Sequence, residues 1–174
     1  MFKSRLRVAF LPSASLNELS VAELFVVCSL RLWLLPHCDS HSRYPDWRRG
    51  FLRAGIETEG ARSFDRLCHI LATSTLEPFL VHRLHCPVLA EHEVWFLQVL
   101  GLAQCAQLSA AQTCLTRYCA PTGARLALQP AQTVARALDA RQLYLGPTVA
   151  YPSALACAAP ATHTAPIPGS TSVH

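Results

Sequence analysis

The chain reads as a single all-α bundle of five to six helices, and three features carry that reading. Polar starters stand three residues ahead of Glu or Gln in Ser15…Glu18, Ser20…Glu23 and Ser109…Gln112. At that spacing two side chains satisfy backbone N–H groups at a helix start. Pro or Gly then closes each mostly apolar block, where a helix stops. Finally, the one alternating run, 79–84, has no second strand to pair with. One strand cannot form a sheet alone, so it is read as a linker packed along the core.

The first helix is expected over 16–35. Leu16, Leu19, Val27, Leu30 and Leu34 fall near one face, while Phe25, Val26 and Trp33 occupy others. A helix apolar almost all round sits centrally and is packed from several sides. Arg31 suits the negative pole of its dipole, and Pro36 ends it. A polar connection, 36–46, leads to a short second helix, 47–54, capped by Asp46 and closed by Gly55.

The third helix, about 60–76, is the clearest amphipathic case. Phe64, Leu67, Cys68 and Leu71 recur at i, i+3, i+4 and i+7, opposite Arg62, Asp65, Arg66, His69 and Thr73. Pro78 stops it. The fourth, about 90–106, begins with Glu91 and Glu93 at the positive pole of its dipole. It is apolar over most of its circumference and is the expected partner of the first helix, the two being central. The fifth, about 110–119, sets Ala111, Cys114, Leu115, Tyr118 and Cys119 on one face, and Pro121 and Gly123 break it. The sixth begins near Arg125 or at Pro130, a favourable first helical position, and ends near Leu145.

The helical domain is therefore placed at 14–145, between a basic arm, 1–13, and a tail, 146–174. The tail carries five prolines and no Asp, Glu, Lys or Arg, which makes it a flexible, disordered Ala/Pro/Ser/Thr segment. A chain of 174 residues can bury roughly two thirds of its unfolded surface, so it needs no disulfide or metal staple. The net charge of +4 sits wholly in residues 1–55, which hold eight basic and four acidic side chains; the remainder holds seven of each. Such a patch suits an acidic partner, nucleic acid or an anionic membrane, but a solvated face is the commoner outcome.

Neither a signal sequence nor a membrane span is expected. Val8–Leu11 runs into Pro12, too short for a signal core, and Val21–Leu35 is interrupted by Glu23 and Arg31. The expectation is a cytoplasmic protein with eight reduced cysteines.

Chemistry is sparse. His37, Cys38 and His41 lie in the polar connection, and His82, His85 and Cys86 in the linker. Brought together, the two clusters would give zinc four N/S ligands. There is no Cys-x-x-Cys, however, and His82-x-x-His85 alone is a weak signature. His92-Glu93 would need a second histidine at 96, where Phe96 stands. Signatures of serine hydrolases, P-loops and dinucleotide folds are missing. A helix-turn-helix drawn from the fourth and fifth helices would read bases with only Gln112, Thr113, Thr116 and Arg117, which argues against DNA as a partner.

What remains is interaction. The favoured function is a non-enzymatic protein-interaction or regulatory module, binding through a helical groove or by self-association, with no cofactor. Trp47, Arg48, Arg49 and Arg53 are its candidate partner-binding residues, and Trp33 and Trp95 are read as core. One alternative is a metal- or thiol-based sensor using His37, Cys38, His41, His82, His85 and Cys86. Another is a nucleic-acid binder led by Lys3, Arg5, Arg7, Arg48, Arg49 and Arg53. If a catalytic site exists, the 36–47 connection is where it would lie.

Overall fold

The starts of the first helices fall where polar side chains satisfy backbone donors. In a computed structural model, which describes residues 6–7, 15–38 and 44–146, Ser20 and Glu23 form a reciprocal box. Glu23 Oε2 accepts the Ser20 N–H at 2.8 Å, and Ser20 Oγ accepts the Glu23 N–H at 3.2 Å. Helix α1 (Val21–Cys38) follows. It starts later than 16 because Ser15 Oγ accepts from Asn17 and caps a separate 3-10 turn, Leu16–Glu18. Nor does Pro36 end it. In the last turn a proline removes only one intrahelical bond, and His37 stacks on Trp33 with ring centroids 4.6 Å apart, which holds that turn in place.

Asp46 Oδ1 accepts the Arg48 N–H at 3.0 Å and opens α2 (Trp47–Arg53). Gly55 closes it at φ +71°, a conformation that an L side chain strains to adopt. Helix α3 (Thr58–Ser74) places Phe64, Leu67, Cys68 and Leu71 fully inside, the face expected from their spacing.

The extended segment does find a partner: β2 (Phe79–Leu80) pairs in parallel with β1 (Leu6–Arg7). The stretch after β2 is the linker expected, with Val81 and Leu89 fully buried. It leads to α4 (Glu91–Gln104) and α5 (Leu108–Thr116). Ser109 does not cap α5. The chain reverses at Ala106, φ 56°, so the helix has begun before Ser109, whose carbonyl accepts from the Thr113 hydroxyl at 3.0 Å.

Helix α6 (Pro121–Asp139) begins at Pro121 rather than being broken there, because proline at the first helical position forfeits an N–H that has no intrahelical partner anyway. Gly123 and Pro130 both lie inside it, buried. Helices α3 and α6 make the closest extended approach in the bundle, and small residues permit it. A Cβ at Gly60 would stand 2.8 Å from Ala137 Cβ, and one at Gly123 only 2.2 Å from Ser74 Cβ. The start of α3 thus meets the end of α6 and vice versa, an antiparallel pair. Ala120 N–H donates to Ser74 O at 3.0 Å and ties off the crossing.

Helix α4 packs on α6, α5 and α1, while α1 also meets α3 directly through Trp33. The core runs through α4: Trp47, Phe51, Phe64 and Phe96 form a chain of ring contacts at 4.9–5.9 Å, closing over Val27, Leu30 and Leu100. The expected tail lies outside the described residues apart from Gly146.

Two imidazoles are sealed into this core. His92 sits among Phe79, Trp95 and Tyr118. Its Nδ1 accepts the Leu80 N–H at 3.3 Å, while Nε2 is buried without a partner. Burial lowers its pKa from 6.5 against the opposing pull of Glu91 and Glu77, and burial lowers that of His82 likewise. The fold therefore favours both rings neutral. Their contribution to stability is complete above 6.5 and is lost as pH falls below that value toward the folded pKa. The denaturation midpoint should drop on acidification from about pH 7 to about pH 5. Replacing His92 by Asn, which keeps an acceptor for Leu80, should flatten that drop. An unchanged slope in urea titrations would remove His92 from the account.

Candidate functional site

Helix α1 is apolar on both its inner and outer sides, and its charged groups lie on the inner one. With 100° between successive residues, Val21, Leu24, Phe25, Cys28, Leu32, Leu35 and Pro36 fall within one arc of about 120°. These are the α1 residues that reach the surface before its last two positions, and none is polar. Val21 is 80% exposed and Leu24 38%. The helix's charged residues before that end, Glu23 and Arg31, are buried together with Ser29. A surface helix ordinarily turns its polar side to water and its apolar side inward. Here the inner side is apolar too, with Val26, Val27, Leu30, Trp33 and Leu34 buried, yet it also takes the charges, and the outer side has none.

The inward charged groups both find partners. Glu23 is consumed by the capping box. Arg31, 1% exposed, pairs with the fully buried Glu93 of α4: Nε donates to Oε1 at 2.7 Å and Nη2 to Oε2 at 2.9 Å. Its remaining donors reach main-chain carbonyls of the linker, with Nη1 on Cys86 O at 2.6 Å and Arg83 O at 3.2 Å and Nη2 on Val88 O at 2.7 Å. All five guanidinium N–H groups are thereby satisfied. Each Glu93 oxygen accepts a second bond, from the His82 N–H at 3.1 Å and the Ala90 N–H at 2.8 Å. Arg31 and Glu93 are therefore a structural clamp, not the dipole-complementing charges the sequence suggested. The signal for it was a cation in the middle of the apolar α1 and a carboxylate at the head of the mostly apolar α4.

The two flanks of the outward arc follow from these contacts. On one side Phe25 stands against α2, its ring 5.2 Å from that of Phe51 and 3.6 Å from where a Gly50 Cβ would lie. On the other side Arg31 holds linker residues 83–88. Phe25, Cys28, Leu32 and Leu35 are half-buried between these walls, so the arc is the floor of a shallow groove. Among the described residues α1 is also the one helix long and apolar enough to cross a membrane, with half of it buried inside the bundle.

Of the candidate partner-binding residues, Trp47 is packed inside at 4% exposure, edge-on to Phe51 and tilted against Phe64. Its place at the surface is taken by Arg48, whose guanidinium lies 4.5 Å above the indole and pairs with Asp46 and Asp65. Arg49 and Arg53 are exposed and form no ion pair among the described residues. Trp33 and Trp95 are core, as expected, with Nε1 donating to Asp65 at 2.7 Å and to Cys114 O at 2.8 Å.

The candidate metal ligands are dispersed in role. His37 stacks on Trp33, Cys38 is exposed at the end of α1, and His41 lies outside the described residues. His82 is buried beside Glu93, His85 is exposed, and Cys86 lends its carbonyl to Arg31. Among the described residues no three His, Cys, Asp or Glu side chains gather as a ligand set. Burial pushes the thiols of Cys28 and Cys68 up and that of Cys119 up to about 12, the opposite of what a reactive thiolate needs. Lys3 and Arg5 lie outside the described residues, and of Arg7 only the backbone is described. Comparison with protein-family models, with curated proteins and with solved structures finds no match for this chain.

Proposed function

We propose that the chain is a non-enzymatic protein-interaction module whose working surface is the outward face of α1. One observation carries the reading: seven apolar residues face outward along the full length of a helix whose Glu23 and Arg31 are turned inside. A contiguous apolar strip of this kind marks a contact surface more often than an idle one. The raised thiols and the clamp roles of Arg31 and Glu93 fit a scaffold better than a reaction centre.

The test is capture from host extract on the immobilised full chain. Wild type should retain a saturable partner that Leu24→Glu loses, while Leu126→Glu, at a residue 55% exposed on α6, keeps it. Both variants sit at the surface and should melt within a few degrees of wild type. Equal capture by all three, or no saturable capture, overturns the reading.

A further inference from the structure

The floor and walls of the α1 groove also constrain what lies in it. Resting on the interaction reading above, we propose that its occupant is an amphipathic helix of another protein, apolar along one stripe and acidic along the edge that meets α2.

Shape argues for a helix. Eighteen residues of α1 extend about 27 Å, and the outward residues follow the i, i+3, i+4, i+7 rows that interdigitate with a second helix. The middle of the strip is recessed between α2 and the 83–88 linker. A convex ridge of side chains reaches such a floor, whereas a flat bilayer surface touches mainly Val21 and Leu24 at its end.

Charge argues for acid. Around α2, Trp47 and Phe51 point inward and Gly50 borders α1 at Phe25. Arg48 lies on the α3 side, 3.4 Å from Asp65. At 100° per residue, Arg53 follows Gly50 on the α1 side, and Arg49 comes next on the outer face, opposite Trp47 and Phe51. The groove edge nearest Phe25 therefore carries the exposed Arg53, with the exposed Arg49 beyond it on the outer face, and neither guanidinium forms an ion pair among the described residues. A second copy of this chain would not answer them, because the outward face of α1 carries no carboxylate and Glu23 is buried.

The experiment uses the full chain and three synthetic eighteen-residue helical peptides. All share one Leu stripe; the flanking edge is Glu, Gln or Lys. The Glu-edged peptide should bind saturably, about three- to tenfold tighter than the Gln version, with the Lys version weakest and the difference shrinking in high salt. Arg49→Glu with Arg53→Glu should reverse the order of the Glu and Lys peptides, and Leu24→Glu should abolish binding of all three. Equal affinity for the three peptides overturns the acidic edge. Binding to phosphatidylglycerol vesicles in preference to every peptide overturns it too, as does a sedimentation-detected dimer that Leu24→Glu dissolves and the arginine variants leave intact. If extract capture depends on Leu24 but not on Arg49 and Arg53, this inference fails while the interaction reading stands. If neither depends on Leu24, both fail.

Discussion

Glu93→Gln is expected to destabilise the fold by about 3–5 kcal/mol, the range for leaving one partner of a buried ion pair unmatched. The isostere keeps the volume but not the bonding. Each Glu93 oxygen accepts two N–H groups, so whichever end of the amide carries nitrogen meets two donors it cannot accept. Domains have only about 5–15 kcal/mol to lose, and the midpoint in urea should fall steeply or the protein should fail to accumulate. The double variant Arg31→Met, Glu93→Leu separates two accounts of the clamp. A simple buried pair replaced by apolar residues is often neutral or better. Here the carbonyls of Cys86 and Val88 and the N–H groups of His82 and Ala90 would all be orphaned, so the double variant should remain well below wild type. Full recovery in urea denaturation would reduce the clamp to an ordinary ion pair.

Gly123→Ala is expected to destabilise by about 2 kcal/mol. Overpacking a filled site costs about 1–3 kcal/mol, and a Cβ placed 2.2 Å from Ser74 Cβ belongs at the upper end of that range. Alanine's better helix propensity returns up to about 1 kcal/mol. The corresponding fall in Tm is about 4–8 °C for a chain of this length. The identity of the clashing atom makes the prediction specific. Ser74→Ala retains the Cβ and should not rescue, whereas Ser74→Gly removes it and should restore most of the loss. Rescue by both, or by neither, would place the α3–α6 contact elsewhere.

How far the sequence spoke for itself depended on how local each determinant is. The α3 face, the Asp46 cap and the Gly55 stop rest on residues within two turns of one another, and all were legible. Helix α6 was misread at its start because Pro121 and Gly123 look like breakers, when one initiates the helix and the other makes room for Ser74. The Arg31–Glu93 clamp spans 62 residues, beyond any local pattern, although each charge was conspicuous in its apolar surroundings. Periodicity could not say which side of α1 faces out, since every side is apolar. That choice is settled by where Glu23 and Arg31 find partners, which only the tertiary arrangement supplies.

The clamp also bears on how the molecule comes apart. Lifting α1 from α4 would strand a cation, a carboxylate and a row of linker carbonyls at one stroke, so a half-opened intermediate has no refuge from its own unmet groups. Helix α1 and the segment around position 90 must then melt together, all or none. A fragment lacking either would not be a smaller version of this protein but an open chain.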